Sequence, residues 1–362
     1  MTLMTVRDPG DLLAAVPYLL GFHPRDSLVV VGVRAGRLAF QARGDLPAGP
    51  AVPSCAAHLA LVVARQRVDA ALLVGYGPRQ LADPAVAAVE RALSACGVPV
   101  VEALRVEGGR YWSYRCQAPG CCPPGGVAYD PSTTVVAATA TLAGCVALPD
   151  REAFARQLDP LAGRAAERMR AAHRRAAARL AALAASGGDP ASVTTVAGRD
   201  ALAAALAAGG PPDDDSAAWL ALLLDGPLVT AAWRLVRAAG LAHGADAAGG
   251  RATGPAHDEA GGRASGVPVA SGVPVGTGPA DLGTHDHLWR ALVPRAAPHL
   301  VPAPATLLAW TSWYRGDGAL ASVALDRALA ADPRYRLARR LERLLREGTA
   351  PRAAPGAAPL SR

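Results

Sequence analysis

The feature that most restricts the fold is a change of hydrophobic period near Pro149. Upstream of it, β-branched runs such as Leu28 to Val33 and "VDAALLVGYG" (68–77) alternate with amphipathic helical stretches. Downstream, strand signals nearly vanish and apolar residues recur at spacings of three and four. Alternating strands and helices build a sheet covered by helices, whereas a helical continuation buries its stripes against other helices. The expectation is an α/β N-terminal domain (mixed sheet with helices) over residues 1–150, followed by an all-α C-terminal region.

Within the first part, "DPGDLLAAVPYLL" predicts a short helix broken at Pro17, with a second break at Pro24. "GRLAFQARGDLP" is expected to pair antiparallel with the strand before it through the turn at Arg34 to Gly36. A helix near 51–66 and the strand "VDAALLVGYG" follow. "DPAVAAVERALSACG" then predicts a helix opening at Asp83-Pro84 and stopping at Gly97, and "VPVVEALRVEGGRYWSYRC" two strands around residues 107–109.

The second part divides into a helical region at 151–243, a Gly/Ala/Pro-rich insertion at 244–284 expected to be disordered, a helical hairpin region at 285–348 and a disordered tail at 349–362. Leu161, Met169, Ala172, Ala176, Leu180 and Leu183 form one helical stripe, flanked by Arg164, Arg168, Arg175 and Arg179. No aromatic residues for base stacking accompany those arginines, so their stems are expected to cover a helix–helix contact. His285 and His287 lack thiol or acidic ligands at useful spacing and read as surface histidines. Helices near 303–315, 318–331 and 335–347, with Ala309, Gly316, Ala321, Ala328 and Pro333, have the small-residue spacing of a tetratricopeptide-like hairpin.

All 37 basic residues are arginine, and a net charge of +7 is spread along the chain. A nucleic-acid surface concentrates its charge, so this distribution argues against one. Lysine is absent, which removes the usual phosphate-binding loop. Gly75 and Gly77 follow a strand, but Gln80 stands where a dinucleotide fingerprint needs glycine. With no run of 18 apolar residues and no basic-then-apolar leader, a cytoplasmic protein without a membrane segment is expected.

Chemistry-bearing residues gather in a few turns. "GFHPRDS" brings His23, Arg25, Asp26 and Ser27 together before a strand, and Arg43 and Asp45 end its predicted partner. "YWSYRCQAPGCCPPGG" carries Trp112 and Tyr114 ahead of Cys116, Cys121 and Cys122, three thiols in seven positions. The thiols admit three readings: a metal site, a redox site near Arg110 and Arg115, or idle groups turned under Trp112 and Tyr114. The C-x4-C spacing admits zinc but does not favour it, because a fourth ligand is missing. Cys55, Cys96 and Cys145 are expected to be buried free thiols.

"VPYLLGFHPRDSLVVVG", "ARGDLP", "RYWSYRCQAPGCCPPGG" and "LLAWTSWYRGDGALASVALDRALAADPRYRLAR" together resemble the actinobacterial domain of unknown function 4192 family. The resemblance implies a bacterial cytosolic protein and brings no activity with it. It adds weight to Phe22, His23, Pro24, Ser27, Arg43, Asp45, the cysteine motif, and Trp313, Gly316 and Asp317 as a partner-binding candidate. Two functions are in play. One is a non-catalytic ligand- or partner-binding regulator whose helical half docks a protein. The other is an enzyme, a hydrolase or a thiol- or metal-dependent catalyst, whose site needs the "FHPRDS" loop, Arg43, Asp45 and the cysteine loop to converge.

Overall fold

The computed structural model describes residues 8–116, 118–185, 190–226, 228–249 and 281–349. Asp8 caps α1 (Pro9–Leu20), its carboxylate accepting the Asp11 amide at 2.8 Å. The helix runs on through Pro17, where the sequence predicts a break. Pro17 is buried along with Leu13 and Val16, and that packing outweighs the one amide donor proline lacks.

Among the described residues there are six strands, the first five in the expected order and the last not foreseen: β1 (Ser27–Arg34), β2 (Arg37–Asp45), β3 (Ala70–Tyr76), β4 (Val100–Glu107), β5 (Arg110–Ser113) and β6 (Val127–Ala128). They form one mixed sheet in the order β2-β1-β3-β4-β5-β6. Only β3 and β4 run parallel, joined by the crossover helix α3 (Arg79–Ala95); the other pairs are antiparallel. α3 starts one turn before the predicted Asp83-Pro84, because the Pro78 carbonyl accepts the Leu81 and Ala82 amides at 3.0 Å each.

The period of two along the strands divides the core. Leu28 and Val30 of β1, with Ala71 and Leu73 of β3, pack against Ala60 and Val63 of α2 (Ala51–Arg65) and Val86, Val89 and Leu93 of α3. Val29, Val31, Val74 and Leu104 face the other way, into a cluster that includes Leu13 of α1 and Phe154 and continues to Trp289, Leu308 and Leu341. The helical half therefore closes the second face of the sheet.

That half comprises α4 (Val135–Leu142), α5 (Arg151–Ala155), α6 (Gly163–Ala185), α7 (Pro190–Ala208), α8 (Asp214–Leu224), α9 (Leu228–Gly249), α10 (Leu282–Leu292), α11 (Pro302–Arg315), α12 (Gly318–Ala331) and α13 (Arg336–Arg346). α11 and α12 form the expected hairpin. Beyond α13 the chain returns to the sheet domain, where the Gln66 side chain donates to the Gly348 carbonyl at 2.7 Å. On α6, Arg168 and Arg175 pair with Asp214 and Asp215, and Arg179 lies 4.3 Å over the Trp219 ring. These arginines cover the α6–α8 contact.

Three expectations are corrected. α9 extends to Gly249, into the segment predicted to be structureless; residues 250–280 and 350–362 lie outside the described residues. His285 is not a surface histidine: at 1% exposure it is buried in α10, stacked on Trp289, while His287 points outward on the opposite face. Cys55 and Cys96 are exposed and Cys145 is half-buried, because they sit on the outer face of α2, at the end of α3 and in a surface turn. Among the described residues no single helix is long and apolar enough to cross a membrane. The apolar pair α8 and α9 bends by 101°, and α8 places Trp219, Leu220 and Leu224 in the core.

Candidate thiol site

β5 carries the loop of interest out from the sheet, and both ends of that loop are tied down. On the incoming side, Tyr114 donates its hydroxyl to Asp83 of α3 at 2.5 Å, and Arg115 pairs with Glu90 and donates to the Val100 carbonyl. Ser113 donates to Glu102 at 2.9 Å, and its hydroxyl accepts the backbone amides of Arg115 and Cys116. On the outgoing side, Arg110 donates to the Gly126 carbonyl at 2.7 Å and the Trp112 indole to the Pro124 carbonyl at 3.0 Å. The Trp112 ring stacks on the guanidinium of buried Arg105 at 3.8 Å. Gly126 lies against that ring at φ 76°, where a Cβ would come within 2.5 Å of it.

Between these anchors the chain makes a tight turn. The Ala118 carbonyl accepts the amides of Cys121 at 3.1 Å and Cys122 at 2.8 Å, so their side chains turn back toward Cys116. The three Sγ atoms lie within 4.8 Å of one another. Cys116 to Cys121 is 2.9 Å and Cys121 to Cys122 is 3.8 Å, and all three are free thiols. Pro119, Pro123 and Pro124 restrict the turn, which lowers the entropy lost on ordering it.

The electrostatics are internal to the group. Hydrogen bonds from Cys121 and then Cys122 hold the Cys116 thiol below its ordinary range. Donating to Cys116 raises Cys121, and the same interaction together with desolvation pushes Cys122 up to about 12. Arg110 and Arg115, expected to favour thiolate, are engaged with backbone carbonyls and Glu90 instead. A cleft of about 210 Å³ opens on Cys116 and Cys122, walled by Tyr111, Trp112, Ser113 and the three prolines. Such a group can share a thiophilic ion or exchange thiol for disulfide. The thiols are not turned inward under Trp112 and Tyr114 as the idle reading expected: Cys121 is exposed and the other two are half-buried.

A family model described as a domain of unknown function, DUF4192, matches residues 9–252 and 275–352. The chain belongs to this family. Comparison with curated proteins and with solved structures gave no match.

The other motifs of this DUF4192 protein have structural employment. Ser27 is fully buried; its hydroxyl donates to the Arg25 carbonyl at 2.5 Å and accepts from Arg43 Nε at 2.9 Å. Arg43 also pairs with Asp45 at 2.6 Å, and the Leu46 amide donates to the Asp26 carbonyl. Asp26 holds a left-handed φ of 43°, and the His23 amide donates to the Leu148 carbonyl. Partial burial, helped by Arg25, lowers the His23 pKa. The "FHPRDS" loop thus meets Arg43 and Asp45 as expected. It does not meet the cysteine loop: Ser27 pairs with Tyr76, Tyr76 with Val106 and Val106 with Tyr111. Three strand spacings, roughly 14 Å, separate β1 from β5, and the combined site is not assembled. Trp112 and Tyr114 belong to the cysteine loop's anchors.

Trp313, Gly316 and Asp317 build the α11–α12 corner. Trp313 is buried against Trp310 at a centroid distance of 5.3 Å, so it offers no docking surface. Gly316 closes α11 at φ 81°, and Asp317 caps α12 by accepting the Leu320 amide at 2.9 Å. Buried Asp286, missed in the sequence, holds this corner by pairing with Arg290 at 2.7 Å and Arg315 at 3.1 Å. Its i,i+4 spacing to Arg290 is the signal that could have revealed it.

Proposed function

We propose that this is a non-catalytic binding and regulatory protein of a bacterial cytoplasm, in which Cys116, Cys121 and Cys122 hold one soft metal ion. One observation carries the reading: three thiols meet within 4.8 Å on a surface turn anchored on both sides. Because the anchors already order the turn, little further ordering cost opposes binding. Elemental analysis with thiol counting on protein purified under reducing conditions tests it. One soft ion per chain with three of the six thiols protected is the expected result. Metal-free protein with all six reacting, even after incubation with copper(I) or zinc, overturns it.

The 2.9 Å approach of Cys116 to Cys121 favours a second reading, a thiol–disulfide couple. A low-molecular-weight disulfide would take both electrons and both protons of the pair. Its sulfurs would leave as two thiols, and a Cys116–Cys121 bond would remain. Peptide mapping after such treatment reveals or excludes that bond.

A further inference from the structure

Zinc in a structural site takes four protein ligands, and in a catalytic site three plus a water held by polar neighbours. The turn offers three sulfurs, and among the described residues no histidine, carboxylate or further cysteine joins them. Glu102, a carboxylate of the neighbouring strand β4, is already accepting from Ser113 and the Ala103 amide. The space beside Cys116 and Cys122 is walled by Trp112, three prolines, Tyr111 and Ser113, and the Ser113 hydroxyl is already committed to Glu102 and to two backbone amides.

A closed-shell monovalent ion has different needs. Three thiolates complete its shell in a trigonal plane, and thiolate softness selects it. With metal–sulfur bonds of about 2.3 Å, trigonal geometry spaces the sulfurs about 4.0 Å apart. Tetrahedral geometry at the same bond length gives about 3.8 Å, so the Cys121–Cys122 spacing of 3.8 Å suits a shared ion of either geometry, and the lack of a fourth ligand among the described residues decides between them. The exposure of Cys121 leaves the resulting anionic centre in contact with water.

Resting on the reading above, we infer that the turn is a three-coordinate copper(I) site, completed by Cys116, Cys121 and Cys122 alone, and that it does not retain zinc as a four-coordinate ion.

The test uses the full-length reduced protein, loaded anaerobically with copper(I) or zinc. Copper X-ray absorption is expected to show three sulfurs and no nitrogen or oxygen, at one ion per chain. Against a chromophoric copper(I) chelator, Cys116→Ser, Cys121→Ser and Cys122→Ser should each weaken binding at least 100-fold, while Cys55→Ser leaves it unchanged. A modest zinc chelator should strip zinc completely. Circular dichroism confirms that the variants are folded. Copper bound by two sulfurs, with one of the three serine variants unaffected, overturns the inference. So does zinc that survives the chelator with nitrogen or oxygen in its shell, and in either case the metal-site reading stands. Failure of both ions to bind overturns the two together.

Discussion

The Sγ atoms of Cys116 and Cys121 stand 2.9 Å apart, closer than two sulfurs on one metal ion, whereas Cys121 and Cys122 at 3.8 Å already have that spacing. Loading the site must therefore part the first pair by about 1 Å. Trp112, whose indole is tied to Pro124 on the same loop, should report the movement. Intrinsic fluorescence is expected to change on adding one equivalent of copper(I), and the change should disappear in Trp112→Phe.

Gly126 is the position where the loop tolerates no side chain. Its φ of 76° is costly for other residues, and an added Cβ would overlap the Trp112 ring. Gly126→Ala should destabilise the fold by about 2–3 kcal/mol in denaturant unfolding. The same variant should weaken metal binding, because the Trp112 anchor shifts.

Ser27 tests whether the "FHPRDS" loop is a scaffold. Its buried hydroxyl bridges the Arg25 carbonyl and Arg43, so Ser27→Ala leaves both partners short of a hydrogen bond. A loss of about 1–3 kcal/mol is expected, with metal affinity unchanged. An unaltered unfolding curve would contradict the structural role.

Burial lowers the His285 pKa from 6.5 to about 4, with Asp281 opposing weakly. Its folded value lies below its unfolded one, so between those values the unfolded chain binds more protons. Its contribution is whole above pH 6.5 and is lost as pH falls toward 4. The effect amounts to at most about 3 kcal/mol. His285→Phe should flatten that stretch of the stability profile; profiles that superimpose from pH 4 to 7 would show that His285 is not held neutral.

Much of the architecture was legible because local rules and tertiary structure agree. The β-branched run of β1, the turn into β2, the β4–β5 hairpin around Gly108 and Gly109, and the three C-terminal helices each follow from residues within one element. Where they disagree, packing prevails. α1 continues through Pro17 because its apolar face is buried, and α3 begins early because Pro78 supplies the first acceptor.

By itself the sequence determined the α/β half, the helical half and the cluster of thiols in one loop, since periodicity and short spacings are local properties. Tertiary structure alone decided that the cysteine loop stands apart from the "FHPRDS" loop, because strand order is set by long-range pairing that spacing does not encode. It also decided that His285 and Trp313 are interior, which depends on the helix packed opposite each face. The meeting of Cys116, Cys121 and Cys122 has the same origin: Ala118, Ser113, Asp83 and Gly126 hold the turn from four sides, and only their convergence brings three sulfurs within reach of one ion.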